Sequence, residues 1–225
     1  MQDKKRVYVL CGIVFVFCLI MALVDGVLQA DCFLKSVIKF VLFLAFPVLY
    51  AHFDSQLKIK PLFAFERKGM QLALVLGVGV YAAILGGYLL LKNVFDFSAI
   101  TTSLTGNIGV SRDNFLYVSL YISFVNSLLE EFFFRGFAFL TLRRVASARF
   151  AYLFSAGVFA IYHVAMMIGW FSVGVFALVL AGLFAGGLIF NYLNASSGTI
   201  YPSWLVHMFA NFAINTIGFM LFGII

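Results

Sequence analysis

The sequence predicts an all-α polytopic membrane protein, a bundle of about seven or eight transmembrane helices forming one integral domain over 1–225. Three observations carry this expectation. The chain is 64% hydrophobic and only 11% charged, where soluble domains run near ~25% charged. Its apolar residues gather in runs of about 18 residues or longer, the length a helix needs to cross the hydrocarbon layer. Its basic residues stand in short clusters between those runs, as topology determinants do.

Seven spans follow from hydropathy, at about 7–24, 33–50, 70–91, 115–140, 150–169, 171–193 and 203–223. Lys4-Lys5-Arg6 ahead of the first resembles the start of a signal peptide. The run Val7–Val24 is longer than a usual h-region, however, and Asp25-Gly26 follows without a small-x-small cleavage site, so it reads as an uncleaved span. The second span carries Lys35 and Lys39 near its start, which predicts an interfacial segment or a short span with snorkelling lysines. The third (Gly77, Gly79, Gly86, Gly87) and the sixth (Ala177, Ala181, Ala185, with Gly182 and Gly186) carry small residues that let helices approach closely. The stretch 92–113, with Ser, Thr, Asn and Gly and only scattered apolar residues, is expected to be an outer loop lying over the helix ends.

Placing the N-terminus inside puts Lys4, Lys5, Arg6, Lys58, Lys60, Arg67, Lys68, Arg143, Arg144 and Arg149 on the inner side. The outer side keeps Lys35, Lys39, Lys92 and Arg112. That distribution also answers the net charge of +6, which forms no basic stripe with interleaved aromatics and excludes a nucleic-acid partner. Three cysteines without C-x-x-C spacing exclude a disulfide framework and a thiolate metal site.

The fourth span is the exception to its class. Glu130, Glu131 and Arg135 fall in its middle, where each charge costs at least ~2.5–3.5 kcal/mol, so the cluster points to a site. Glu131 and Arg135 are four apart, hence about 40° apart around an α-helix, and form a structural ion pair. Glu130 lies about 140° from Arg135, which leaves it as the free carboxylate, suited to accept a proton. Ser119, Ser123, Ser127, Glu131 and Arg135 make a polar stripe at spacing four, and Asn126 lies one turn before Glu130. His163 stands alone in the fifth span; His207 stands in the seventh with Asn211 one turn on. Together these predict a polar catalytic cavity between spans four, five and seven.

Two chemistries fit Glu130, His163, His207 and Asn211. In one, Glu130, His163 and His207 ligate a zinc-type metal that acidifies a bound water. In the other, Glu130 takes the proton from water without a metal, and a histidine with Asn211 stabilises the oxyanion. Both hydrolyse an acyl bond, and no G-x-S-x-G nucleophile motif offers a third route.

The residues Glu130-Glu131-Phe132-Phe133-Phe134-Arg135, Phe159-Ala160-Ile161-Tyr162-His163 and His207-Met208-Phe209-Ala210-Asn211 match the E-E-x-x-x-R, F-x-x-x-H and H-x-x-x-N motifs. They make the chain resemble the CPBP family of intramembrane proteases, which includes type II CAAX prenyl endopeptidases and bacterial Abi-type proteins. The resemblance covers about 115–220 and implies a protease-like core at 114–225, with accessory spans at 1–113. It implies intramembrane peptide-bond hydrolysis with Glu130, Glu131, His163, His207 and Asn211 as catalytic residues. The implied partner is a peptide or membrane-associated protein entering from the membrane or the cytoplasmic side. Compact loops place the chain nearer the bacterial branch, which implies a plasma membrane and a substrate that is not prenylated. A non-enzymatic scaffold or bacteriocin-immunity partner is the alternative. Glu130 lies about 12 residues from the inner end of its span, roughly 18 Å, while His207 lies only about five past Pro202. This predicts a recessed seventh span and a cavity open towards the cytoplasm.

Overall fold

The computed structural model describes residues 2–54, 57–65 and 67–225; the side chains of Gln2, Asp3, Lys68, Ser103, Asn107 and Ile108 lie outside the described set. Among the described residues there is no strand. The helices are α1 (Gln2–Gly26), α2 (Cys32–Tyr50), α3 (Arg67–Leu91), α4 (Ser98–Ile108), α5 (115–145), α6 (Ala148–Met167), α7 (Val173–Ser197) and α8 (Tyr201–Leu221). A short 3₁₀ turn, Lys60–Phe63, sits between α2 and α3. Local sequence sets the ends. Asp31 accepts the Leu34 N–H ahead of α2, Ser147 accepts the Phe150 N–H ahead of α6, and Gly198 takes the left-handed conformation (φ 75°) that stops α7.

Among the described residues six helices, α1, α2, α3, α6, α7 and α8, are long and apolar enough to cross a membrane. The fourth expected span, α5, is helical but does not join them on composition. Its polar residues are tolerated because the other helices surround it: Phe132 to Leu142 is buried without interruption. The stretch 92–113 departs from the expected loop by forming α4, started where the Ser98 N–H and hydroxyl donate to Asp96 at 2.8 and 3.0 Å. Those bonds hold the exposed Asp96 carboxyl below the usual carboxylate range.

Successive long helices alternate in direction. Arg6 pairs with Asp54, the Arg143 guanidinium donates to Ala195 O, and the Ile200 N–H donates to Leu62 O, so α1's start, α5's end and the α7–α8 turn share one end. This is where most of the basic residues gather. At the other end Gly26 meets Ala165, and Asp25 pairs with Lys35 at 3.0 Å.

The core under the charged cluster is aromatic. Phe43 stacks on Phe133 with ring centroids 4.0 Å apart, and Phe134, Phe137 and Phe139 are fully enclosed. Lipid is as apolar as these rings, so close packing and edge-to-face contact hold them together more than release of water does.

Of the glycines singled out above, Gly77 is the one in tight contact: a Cβ there would meet Phe209 at 2.6 Å, where α3 lies along α8. Gly79, Gly86, Gly87, Gly182 and Gly186 have no neighbour within 4 Å of such a Cβ; the close contact on α7 is Gly187 against Ala156 at 3.0 Å. Gly77→Ala should therefore cost about 1–3 kcal/mol by pushing α3 off α8, with Gly79→Ala near neutral. Unfolding in detergent checks both, and equal stability of the two variants would contradict this packing.

Candidate active site

The helix that carries the site, α5, is not uniform. Tyr121–Asn126 and Glu131–Leu140 are π-helical, separated by the α-turn Ser127–Glu130. In an α-helix, positions spaced by four drift steadily around the axis; a wider π-turn carries them back. Alternating the two keeps Ser119, Ser123, Ser127, Glu131 and Arg135 on one enclosed face, each at most 4% exposed. The carbonyls displaced by widening find donors on α8. Asn211 Nδ2 donates to Ile122 O at 3.2 Å, and Asn215 Nδ2 donates to Ser119 O at 3.1 Å and Ser123 Oγ at 2.9 Å.

These bonds run α8 antiparallel along the first half of α5 and explain the depth of His207. Trp204 Nε1 donates to Ser127 Oγ at 2.9 Å, and Gly136 lies against Ile200 and Leu62. So α8 starts beside the middle of α5, with its entry, Thr199 and Ile200, buried. A residue only a turn and a half into α8 thereby reaches Glu130.

Three side chains converge at one point. Glu130 Oε2 lies 3.8 Å from His163 Nε2 and 3.8 Å from His207 Nε2. Each ring is held by its other nitrogen: His163 Nδ1 meets Phe159 O at 2.8 Å, and His207 Nδ1 meets Glu131 Oε1 at 2.9 Å. A carbonyl only accepts, so His163 Nδ1 carries the hydrogen and a neutral His163 turns a lone pair towards Glu130. The bond to the Glu131 carboxylate sets His207 the same way. Both histidine lone pairs thus face the Glu130 carboxylate.

Glu131 has two tasks. Its Oε1 orients His207, and its Oε2 lies 3.5 Å from Arg135 Nε, both residues fully enclosed. The Arg135 guanidinium is 4.1 Å from the Phe159 ring and 5.0 Å from the Phe190 ring, where cation–π attraction offsets part of its desolvation. Asn211 spends an amide hydrogen on α5.

Glu130 is not the free carboxylate that helix angles suggest. Lys39 Nζ donates to its Oε1 at 3.0 Å and to Asn126 Oδ1 at 2.6 Å, while Asn126 Nδ2 donates to the same Oε1 at 3.0 Å. Lys39 does not snorkel; α2 points it inward, so a residue from the span assigned as accessory joins the site. The signal was in the sequence. A lysine inside an apolar span obeys the rule that exposed Glu130, and only its nearness to the span's start allowed a snorkelling reading.

The fit to a metal can be judged from the same atoms. Among the described residues no group of three or more His, Cys, Asp or Glu side chains is placed to hold a metal ion. Lys39 also puts a cation on the carboxylate already. As arranged, the residues do not fit the group.

From Phe132 to Leu142, towards the basic end, everything is buried. The partly exposed members, Asn126 and His163, lie towards the opposite end, where α6 finishes at Met167. A separate cleft of about 250 Å³ lined by Phe95, Asp96, Phe97, Trp170 and Phe171 holds none of these residues.

Residues 112–213 match the family model described as type II CAAX prenyl endopeptidase Rce1-like. The match runs from just before α5 to just past Asn211, and so takes in the three motif segments and the convergence at Glu130. No curated protein and no solved structure matches the chain. Over residues 112–213, less than half of the chain, the α5–α8 core is similar to the type II CAAX prenyl endopeptidase Rce1-like family.

Proposed function

We propose that this protein is an intramembrane endopeptidase that hydrolyses a peptide bond in a peptide or membrane-associated protein, with Glu130 as the base. The observation that supports this most is the convergence of Glu130 Oε2 with two histidine Nε2 atoms, each ring tied at Nδ1. A water at that point donates to Oε2 and to an Nε2. Its oxygen attacks the scissile carbonyl carbon as Glu130 takes the proton. The oxyanion is received by the remaining amide hydrogen of Asn211. Glu130 then returns the proton to the leaving amine as the C–N bond breaks. His163 and His207 hold the water's orientation, with Glu131 fixing His207. No step is routed through a metal.

The basic end is assigned to the cytoplasm, which makes the protein an N-inside plasma-membrane enzyme of the bacterial type whose site faces away from the basic end. The substrate class is an unprenylated peptide precursor or membrane-protein segment. Purified protein should cleave members of a peptide library with equal rates before and after chelation, and His163→Ala should lower the rate by about 10²-fold or more. Metal analysis of the same preparation accompanies the assay. Loss of cleavage on chelation with recovery on zinc would favour the metal route. Full cleavage by His163→Ala would sink the assignment, and no cleavage by wild type alongside function of His163→Ala in cells would favour the scaffold.

A further inference from the structure

Lys39 is a buried cation that the reaction as written leaves unused. It stands two turns into α2, close enough to the helix start for a four-carbon stem to carry its ammonium to the interface. One turn earlier Lys35 does turn that way, and pairs with Asp25 at 3.0 Å. Lys39 instead reaches across to α5, its Nζ 2.6 Å from Asn126 Oδ1 and 3.0 Å from Glu130 Oε1, with the Tyr162 ring 5.2 Å away. Burying an ammonium among aromatic rings is tolerable because that carboxylate and amide receive it, with the Tyr162 side chain as a further hydrogen-bond partner. The two oxygens of Glu130 are thereby made unequal. Oε1 takes both donors, from Lys39 and Asn126; Oε2 is left facing the Nε2 atoms of His163 and His207.

We propose that Lys39 is a positioning residue for the hydrolysis: its ammonium, with Asn126, pins Glu130 Oε1 so that Oε2 faces the two histidines as the proton acceptor. This rests on the endopeptidase reading. Lys39 does not touch the reacting atoms in this scheme. A carboxylate free to rotate would divide its time between orientations, and a general base displaced by a fraction of an ångström loses much of its effect.

The test is kcat and KM for Lys39→Met, Lys39→Gln and Lys39→Arg with a peptide that the wild type cleaves. Lys39→Met and Lys39→Gln should lose about 10–100-fold in kcat with KM within about twofold, because the loss is confined to the reacting state. Lys39→Arg, which keeps a cationic donor, should recover part of it. If Lys39→Met fails to accumulate, Lys39→Gln, which keeps a neutral donor for Oε1, gives the same reading. Wild-type kcat in the folded Met and Gln variants overturns the positioning role and leaves the endopeptidase standing, as does a change confined to KM. If neither Lys39→Met nor Lys39→Gln folds, Lys39 is structural and the positioning role falls. A wild type that cleaves no peptide brings down both readings together.

Discussion

Glu130→Gln should lower kcat for peptide cleavage by about 10²–10⁴-fold, the usual contribution of a positioned general base. The substitution keeps the shape of the side chain and an oxygen for Lys39 and Asn126 to donate to, but removes the group that takes the proton. It also leaves the buried Lys39 ammonium without its counter-charge, so some stability should be lost with it. The double variant Lys39→Gln/Glu130→Gln separates the two effects. Both proteins should be inactive, and the double should be the more stable, since it carries no unpaired charge. Activity has to be compared on folded material, by normalising to the monodisperse fraction in detergent. If Glu130→Gln keeps more than about a tenth of wild-type kcat, Glu130 is not the base.

Arg135→Met should act on folding, by about 3–5 kcal/mol, the cost of removing one partner from a buried ion pair. Arg135 and Glu131 are both fully enclosed and 3.5 Å apart. Without the guanidinium, the Glu131 carboxylate keeps only His207 as a partner, and the face between Phe159 and Phe190 loses its cation. Lys should be a poor substitute, because its compact ammonium lacks the planar face that lies against those rings. Glu131→Gln/Arg135→Met, with both charges removed, should regain part of the stability but not the activity, since Gln no longer fixes His207 as a carboxylate does. Unfolding free energy in detergent and accumulation in the membrane measure this. Arg135→Met within about 1 kcal/mol of wild type would mean the pair does not hold this core together.

The contrast between these variants rests on which parts of the molecule are legible locally. Spans with a hydropathy period and a length limit can be read from residues alone, and α1, α2, α3, α6, α7 and α8 fall close to their expected ranges. The stretch 92–113 was not legible as a helix: its polar composition masked α4, which begins where Asp96 is met by Ser98 and packs against α8. The small residues were legible as a class but not individually, since whether Gly77 or Gly79 touches a neighbour depends on how α3 is rotated against α8.

What the sequence by itself determined is the class of the molecule and which residues to look to for a site. Composition demands a membrane, and the expense of Glu130, Glu131 and Arg135 inside a span marks them out before any contact is known. The pairing of Glu131 with Arg135 follows from helix spacing, a local property. Tertiary structure alone decided the rest. The meeting of Glu130 with His163 and His207 depends on α8 beginning halfway along α5. The turn from Glu130 as a lone carboxylate to Glu130 held by Lys39 depends on α2, 91 residues away in sequence. Spacing along one helix cannot report on such partners, because a buried charge is balanced by whatever packing brings to it.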